Sequence, residues 1–230
     1  GGGGGPAAAA TLGAALHSKL DALREMLRDP QVLRLAAGYS LLSCSFQSLF
    51  GLAEEYTAVA DFTDAQSAYL AIAYLAAGLI SLLLLNLLIT GRILMFPMLL
   101  WGITGAVVVV GIGLVVAISP GGFSTALPLA AALGIFVNAL PPIVLSLVVE
   151  ATFPMAESLG IGVTKSLCYL TTVAGLETLH YLVEWQPTYV GIFSGANCFM
   201  MALYLVGAGL LWSCKPRLRR YEAELQRAGG

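Results

Sequence analysis

The sequence predicts an all-α membrane protein in which six transmembrane helices form one bundle. Three observations predict it: a composition too apolar for a water-exposed surface, six apolar runs long enough to cross a bilayer, and basic residues confined to one side of those runs. Of the 230 residues, 58% are hydrophobic and 10% are charged, and the mean hydropathy is +0.86. Soluble domains carry roughly 25% charged residues. A large soluble helical domain would need charges along every helix to solvate its outer face, and the long runs here lack them, so that class is set aside.

The chain opens with Gly1 to Gly5 and an alanine run and has no initiator methionine, so 1–10 reads as a low-complexity segment or a fragment boundary that holds no fold. In 11–30, Leu12, Leu16, Leu20, Leu23 and Leu27 recur at helical spacing. Lys19, Asp21, Arg24, Glu25 and Arg28 occupy the other face, and Asp29-Pro30 ends the pattern. This amphipathic helix suits either the inner membrane surface or a partner protein.

Crossing the ~30 Å hydrocarbon layer takes about 20 mainly apolar residues. Such runs fall at 32–53, 65–90, 93–118, 124–150, 159–183 and 189–213, inside a transmembrane region of 31–214. The connections (Asp61 to Asp64, Thr90 to Arg92, Ser119 to Gly122, Pro154 to Glu157, Glu184 to Pro187) are short, so successive helices should be antiparallel neighbours. In the fourth run Pro141-Pro142 removes two backbone donors, which predicts a kink with freed carbonyls, either in a cavity-lining helix or as a structural bend. Gly191 and Gly195 form a GxxxG in the last run, and Gly207 and Gly209 thin it further, consistent with close packing.

Charge sets the expected orientation. With the first helix starting in the cytoplasm, Lys19, Arg24, Arg28, Arg34, Arg92, Lys215, Arg217, Arg219, Arg220 and Arg227 are all inside, and Lys165 lies near an inner end. The outer connections hold Glu54, Glu55, Asp61, Asp64 and Glu184 and no Lys or Arg, as the positive-inside bias requires. Both termini are expected in the cytoplasm, with 215–230 a basic tail. Cys44, Cys168, Cys198 and Cys214 read as small packing residues. No sequon, CaaX box or signal-peptide pattern is present, so insertion falls to the helices themselves.

GxSxG, HExxH, P-loop and CxxC motifs are missing, and the two histidines are His17 and His180, so neither an enzyme nor a cofactor or metal is expected. His180 suits a ligand or proton relay, or an amphipathic anchor beside Tyr181. Polar groups inside the runs are costly in hydrocarbon and so point to a cavity or a partner; they are Gln47, Asn86, Asn138, Glu150, Lys165, Glu177 and Asn197. Gln47 and Asn138, near mid-depth, would line a central pathway or bond helices together. Glu150 and Lys165 flank the inner connection between the fourth and fifth runs, within reach of a salt bridge, and read as a gate or latch. Tyr39, Phe46, Tyr69, Tyr74, Phe136 and Tyr169 lie within runs, away from the interfacial belt of Trp185 and Tyr189, and would stack on a cationic or flat apolar solute or simply pack. The expected binding set is Phe46, Gln47, Asn138 and Tyr169, with Tyr39, facing one water-accessible cavity.

Glu150-Ala151-Thr152-Phe153-Pro154-Met155-Ala156-Glu157, followed by Gly162, resembles the E-x-T-aromatic-P-x-x-E motif between the tenth and eleventh helices of the feline leukaemia virus subgroup C receptor family. Gly134 and Pro142 lie upstream in matching register, and the Gly38-Tyr39 to Phe46 stretch and the basic tail Lys215 to Arg220 are supporting features, so the resemblance spans nearly all of 32–225, outside the motif as a generic fit. It implies the C-terminal six-helix half of a major facilitator fold, a twelve-helix carrier working by alternating access. The 11–30 helix then becomes a cytoplasmic linker, and Glu150, Pro154, Glu157, Gly162 and Lys165 become gating or motif residues. The implied activity is transport of a small organic solute, with haem or porphyrin and choline-like amines as candidates. A non-transporting scaffold or receptor is the alternative. Tyr169, Gln47 and Lys165 replace the family's Gln, Tyr and Asn, which weighs against choline, while a lysine favours an anionic group such as a carboxylate. The expected partners are the lipid bilayer, the solute and a missing N-terminal half or second copy, with no nucleic acid. The expected location is the plasma membrane in preference to an organelle.

Overall fold

In the computed structural model the apolar runs become six long helices: α1 Pro30–Gly51, α2 Asp64–Ile89, α3 Phe96–Ala117, α4 Phe123–Thr152, α5 Glu157–Trp185 and α6 Gly195–Trp212. A short helix, Ala53–Ala58, follows α1, and a 3-10 turn, Ile93–Met95, leads into α3. The structure describes residues 20–21, 23–89, 93–155, 157–185, 191, 193–215, 218, 220–221, 223 and 226, and of residues 86, 88, 89 and 93 the backbone alone. Expectations resting on 1–19, Arg92, Pro187, Tyr189, Arg217, Arg219, Arg227 and the side chain of Asn86 lie outside the described residues.

Three of the starts have a local side-chain cause. Asp29 accepts the Gln31 N–H at 2.9 Å with Pro30 at the first helical position, so the pair that ends the linker pattern also opens α1. Thr63 and Gln66 cap each other reciprocally before α2, at 3.0 and 3.3 Å. Ser194 accepts the Asn197 N–H at 3.2 Å and opens α6.

The helices α2 to α6 are long and apolar enough to cross a membrane. Although α1 has the length, 22 residues, its polar content leaves it outside that group. Its serines 40, 43, 45 and 48 are all buried, and Ser40 and Ser45 donate to the carbonyls of Ala36 and Leu42 at 2.7 Å. The polarity of α1 is therefore turned inward and satisfied within the helix. Outside, Leu79, Leu83, Leu87, Met98, Val109, Leu170 and Leu205 are exposed, a surface compatible with a multi-pass membrane protein.

Successive long helices alternate direction, and two ends result. One holds Pro30, Thr152, Glu157 and Trp212; the other holds Gly51, Asp64, Phe123 and Gly195. The principal packing pairs are α2 with α4, α1 with α5, α3 with α4, α1 with α6, α3 with α6 and α1 with α4. Exchanging α1–α3 for α4–α6 maps this set onto itself. Three helices is an odd number, so the two related triplets run in opposite senses, as in an inverted repeat.

Glycines allow the tightest approaches. A Cβ on Gly134 would lie 2.1 Å from the Tyr74 carbonyl oxygen, one on Gly78 2.1 Å from Asn138 Nδ2, and one on Gly175 2.1 Å from Cys44 Sγ. Gly38 and Gly207 face each other between α1 and α6. The expected GxxxG does not form a packing face: Gly191 precedes α6 with φ +87 and nothing within 4 Å of a Cβ there, because the helix begins only at Gly195. The amphipathic segment also packs differently from its leucine pattern. Met26 is buried, whereas Leu20 and Leu27 are exposed. Finally, α4 runs through Pro128, Pro141 and Pro142 as one 30-residue helix, leaving the carbonyls of Val137 and Asn138 without helical N–H partners.

Candidate functional site

A groove of about 510 Å³ lies between α1, α2, α4 and α5. On α1 it is lined by Tyr39, Ser43, Phe46, Gln47 and Phe50, whose spacing is that of one helical face. Tyr74 and Leu75 come from α2, Val137, Asn138 and Pro141 from α4, and Lys165, Thr172 and Leu176 from α5. The volume is within the range of small-molecule sites.

The wall between α1 and α2 is aromatic. Phe50 and Tyr74 stack with centroids 3.9 Å apart at 18°, and Phe46 leans on Tyr74 at 6.4 Å. Towards α5 it is polar. Gln47 Nε2 donates to Ser43 Oγ at 2.5 Å and lies 3.8 Å from Cys168 Sγ, which itself lies 3.0 Å from Ser43 Oγ. Lys165 Nζ donates to the Tyr39 hydroxyl oxygen at 3.1 Å and sits 5.5 Å from the centre of that ring. Asn138 donates to the Gly134 carbonyl of its own helix at 3.0 Å and rests against Gly78 of α2.

Of the expected binding set, Phe46, Gln47, Asn138 and Tyr39 come together in this groove. Tyr169 does not. It is 62% exposed and is not part of the groove wall, although it stands one turn from Lys165 along α5. Lys165 was expected beside Glu150, but the two do not pair. Lys165 faces α1, while Glu150, 3% exposed, accepts the Tyr221 backbone N–H at 3.2 Å. Glu157, the second motif carboxylate, pairs with Arg220. Both acidic residues of the motif thus bind the C-terminal tail. Pro154 is exposed, and Gly162 has open space where a Cβ would go.

Phe50 and Ser43 escaped the sequence reading. The available signal was their spacing from Gln47, one turn away on either side. Tyr74 was recognised as an aromatic within a run but not as a wall of the site.

No protein-family model matches this chain, and no curated protein matches it.

What the groove can do therefore follows from its own chemistry: an aromatic wall able to pack a flat apolar body, neutral amide and hydroxyl groups able to orient it, and one ammonium. At the far end the remaining polar residues tie helices together. Tyr56 donates to Asn197 Oδ1, and Asn197 Nδ2 donates to the Gly191 carbonyl at 3.0 Å. His180 lies 2.8 Å from Glu55 and 3.4 Å from Glu184, linking α5 to the short helix. Among the described residues, no group of three His, Cys, Asp or Glu side chains is placed to hold a metal.

Proposed function

We propose that this chain is one six-helix half of a membrane transporter for a small organic solute, and that the groove is its share of a substrate site completed by a second bundle. The observation that carries the reading is the groove itself, a recess with aromatic, amide and cationic walls opening from a bundle whose outer surface is apolar. The exchange symmetry of the helix packing supports it, since inverted three-helix repeats that rock about a central site are a recurrent design for alternating access. The helices α3 and α6 stand behind the groove and supply none of its lining.

In this reading α1 is the sixth span, its serines tolerated because they face protein and not lipid. The end carrying Arg28, Arg34, Lys215 and Arg220 is cytoplasmic, and the end carrying Glu54, Glu55, Asp61, Asp64 and Glu184 is outside. The partner is a further six-helix half or a second copy of this chain. Haem or porphyrin and choline-like amines are the solute classes suggested by the Glu150 to Glu157 motif.

The test is uptake of haem and of choline by proteoliposomes holding this chain with a second bundle or as a homodimer. Saturable uptake that falls on Gln47→Ala is expected. Binding without uptake in every pairing would replace the transporter with a receptor or scaffold.

A further inference from the structure

We propose that Lys165 and the Tyr39 phenol form an anion-binding subsite within the groove, which takes the carboxylate of a flat, otherwise apolar solute. This deepens the transporter reading and rests on it. An ammonium has three N–H donors. One is directed at Tyr39 at 3.1 Å, and no carboxylate lies within 4.0 Å of Lys165 among the described residues.

A charge partly withdrawn from water in a low-dielectric setting is stabilised by a counter-charge. The groove lining supplies none, since its other polar groups, Ser43, Gln47, Tyr74, Asn138 and Thr172, are neutral. Tyr39 accepts from Lys165 through its oxygen and so keeps its own O–H proton to donate. Two donors are therefore adjacent, one charged and one neutral, the arrangement that binds a carboxylate by charge-assisted hydrogen bonds. Beside them the Phe46, Phe50 and Tyr74 rings offer a surface for an apolar body. A cationic solute would meet the same rings but also the like charge of Lys165.

The experiment uses two probes with one ring system, naphthalene-2-carboxylate and 2-(aminomethyl)naphthalene. Each is titrated calorimetrically into the full chain in lipid nanodiscs, with empty nanodiscs subtracted. The carboxylate should bind at least about tenfold more tightly than the amine. Lys165→Met should remove about that factor for the carboxylate alone, and Lys165→Arg should retain most of it, since one charge-assisted hydrogen bond is worth a factor of this order. Unchanged thermal unfolding of both variants shows that the fold persists; if Lys165→Met unfolds, Tyr39→Phe, which keeps the ring and removes the O–H donor, should weaken the carboxylate about threefold or more. Amine binding as tight as carboxylate binding, or a Lys165→Met variant that keeps its carboxylate affinity, overturns the subsite. If Phe50→Ala still weakens both probes in that case, the groove remains a solute site. Saturable binding of neither probe overturns the subsite and the groove reading together.

Discussion

Gly134 and Gly162 share a residue type and differ in surroundings. A methyl group on Gly134 would meet the Tyr74 backbone at 2.1 Å, and backbone does not move aside cheaply, whereas one on Gly162 meets nothing within 4 Å. Gly134→Ala should therefore destabilise the protein by about 1–3 kcal/mol, the usual range for overpacking. Gly162→Ala should leave stability unchanged or raise it slightly, since alanine is the better helix former. Thermal unfolding in detergent compares the two, and equal shifts would show that the α2–α4 approach is not tight. The cysteines separate in the same way. Cys198 is exposed and Cys214 is buried, so at pH 8 a thiol reagent reaches the two unequally. Iodoacetamide at that pH should label Cys198 well ahead of Cys214, as read by peptide mass spectrometry. Preferential labelling of Cys214 would mean that the tail end is open.

The turn between α4 and α5 is held by the tail that follows α6. Its two acidic residues are unequal partners. Arg220 and Glu157 are 41% and 60% exposed, and an ion pair in that setting contributes about 0–1 kcal/mol. Glu150 is 3% exposed, and its carboxylate accepts the Tyr221 N–H. Removing the partner of a buried acceptor costs about 1–3 kcal/mol, and more when the acceptor is charged. Deleting residues 216–230 should therefore lower the unfolding temperature clearly more than Arg220→Ala does. Equal effects would assign the whole contribution of the tail to the exposed pair. The resembling motif thus has a structural account at this level: it docks the tail and leaves Lys165 to the groove.

Across the whole molecule the expected topology places Asp61 and Glu184 outside. Cysteines introduced there should react with an impermeant thiol reagent in intact cells, and reaction only after permeabilisation would invert the orientation. The groove should be wet and the lipid face dry. In a Cys198→Ser background, Gln47→Cys should react with a water-soluble methanethiosulfonate reagent at least about tenfold faster than Leu83→Cys, because thiolate formation needs water. Comparable rates would place the groove in lipid or seal it. Under the transporter proposal one bundle bears one wall of the pathway and cannot alternate access by itself, so the chain reconstituted as a monomer should bind solute without accumulating it.

The apolar runs by themselves determined where the long helices lie, because an uninterrupted stretch of hydrophobic residues cannot be solvated in any other form. They also marked Gln47, Asn138 and Lys165, since a polar side chain amid leucine and valine stands out whatever the packing. Rotation about each helix was not legible. When nearly every face is apolar, no stripe tells the inner side from the lipid side, so Phe50 was passed over, and Tyr169, which shares the stripe of Lys165 and Thr172, was assigned to a wall it does not form. Pairing was not legible either. Lys165 and Glu150 flank one connection between successive helices, yet the crossing of α5 with α1 delivers Tyr39 to the lysine, and the returning tail delivers Tyr221 to the glutamate. Tertiary structure alone decided those partners, because which helix faces meet depends on where glycines such as Gly78, Gly134 and Gly175 let backbones approach, and that depends on the neighbouring helix as much as on the glycine.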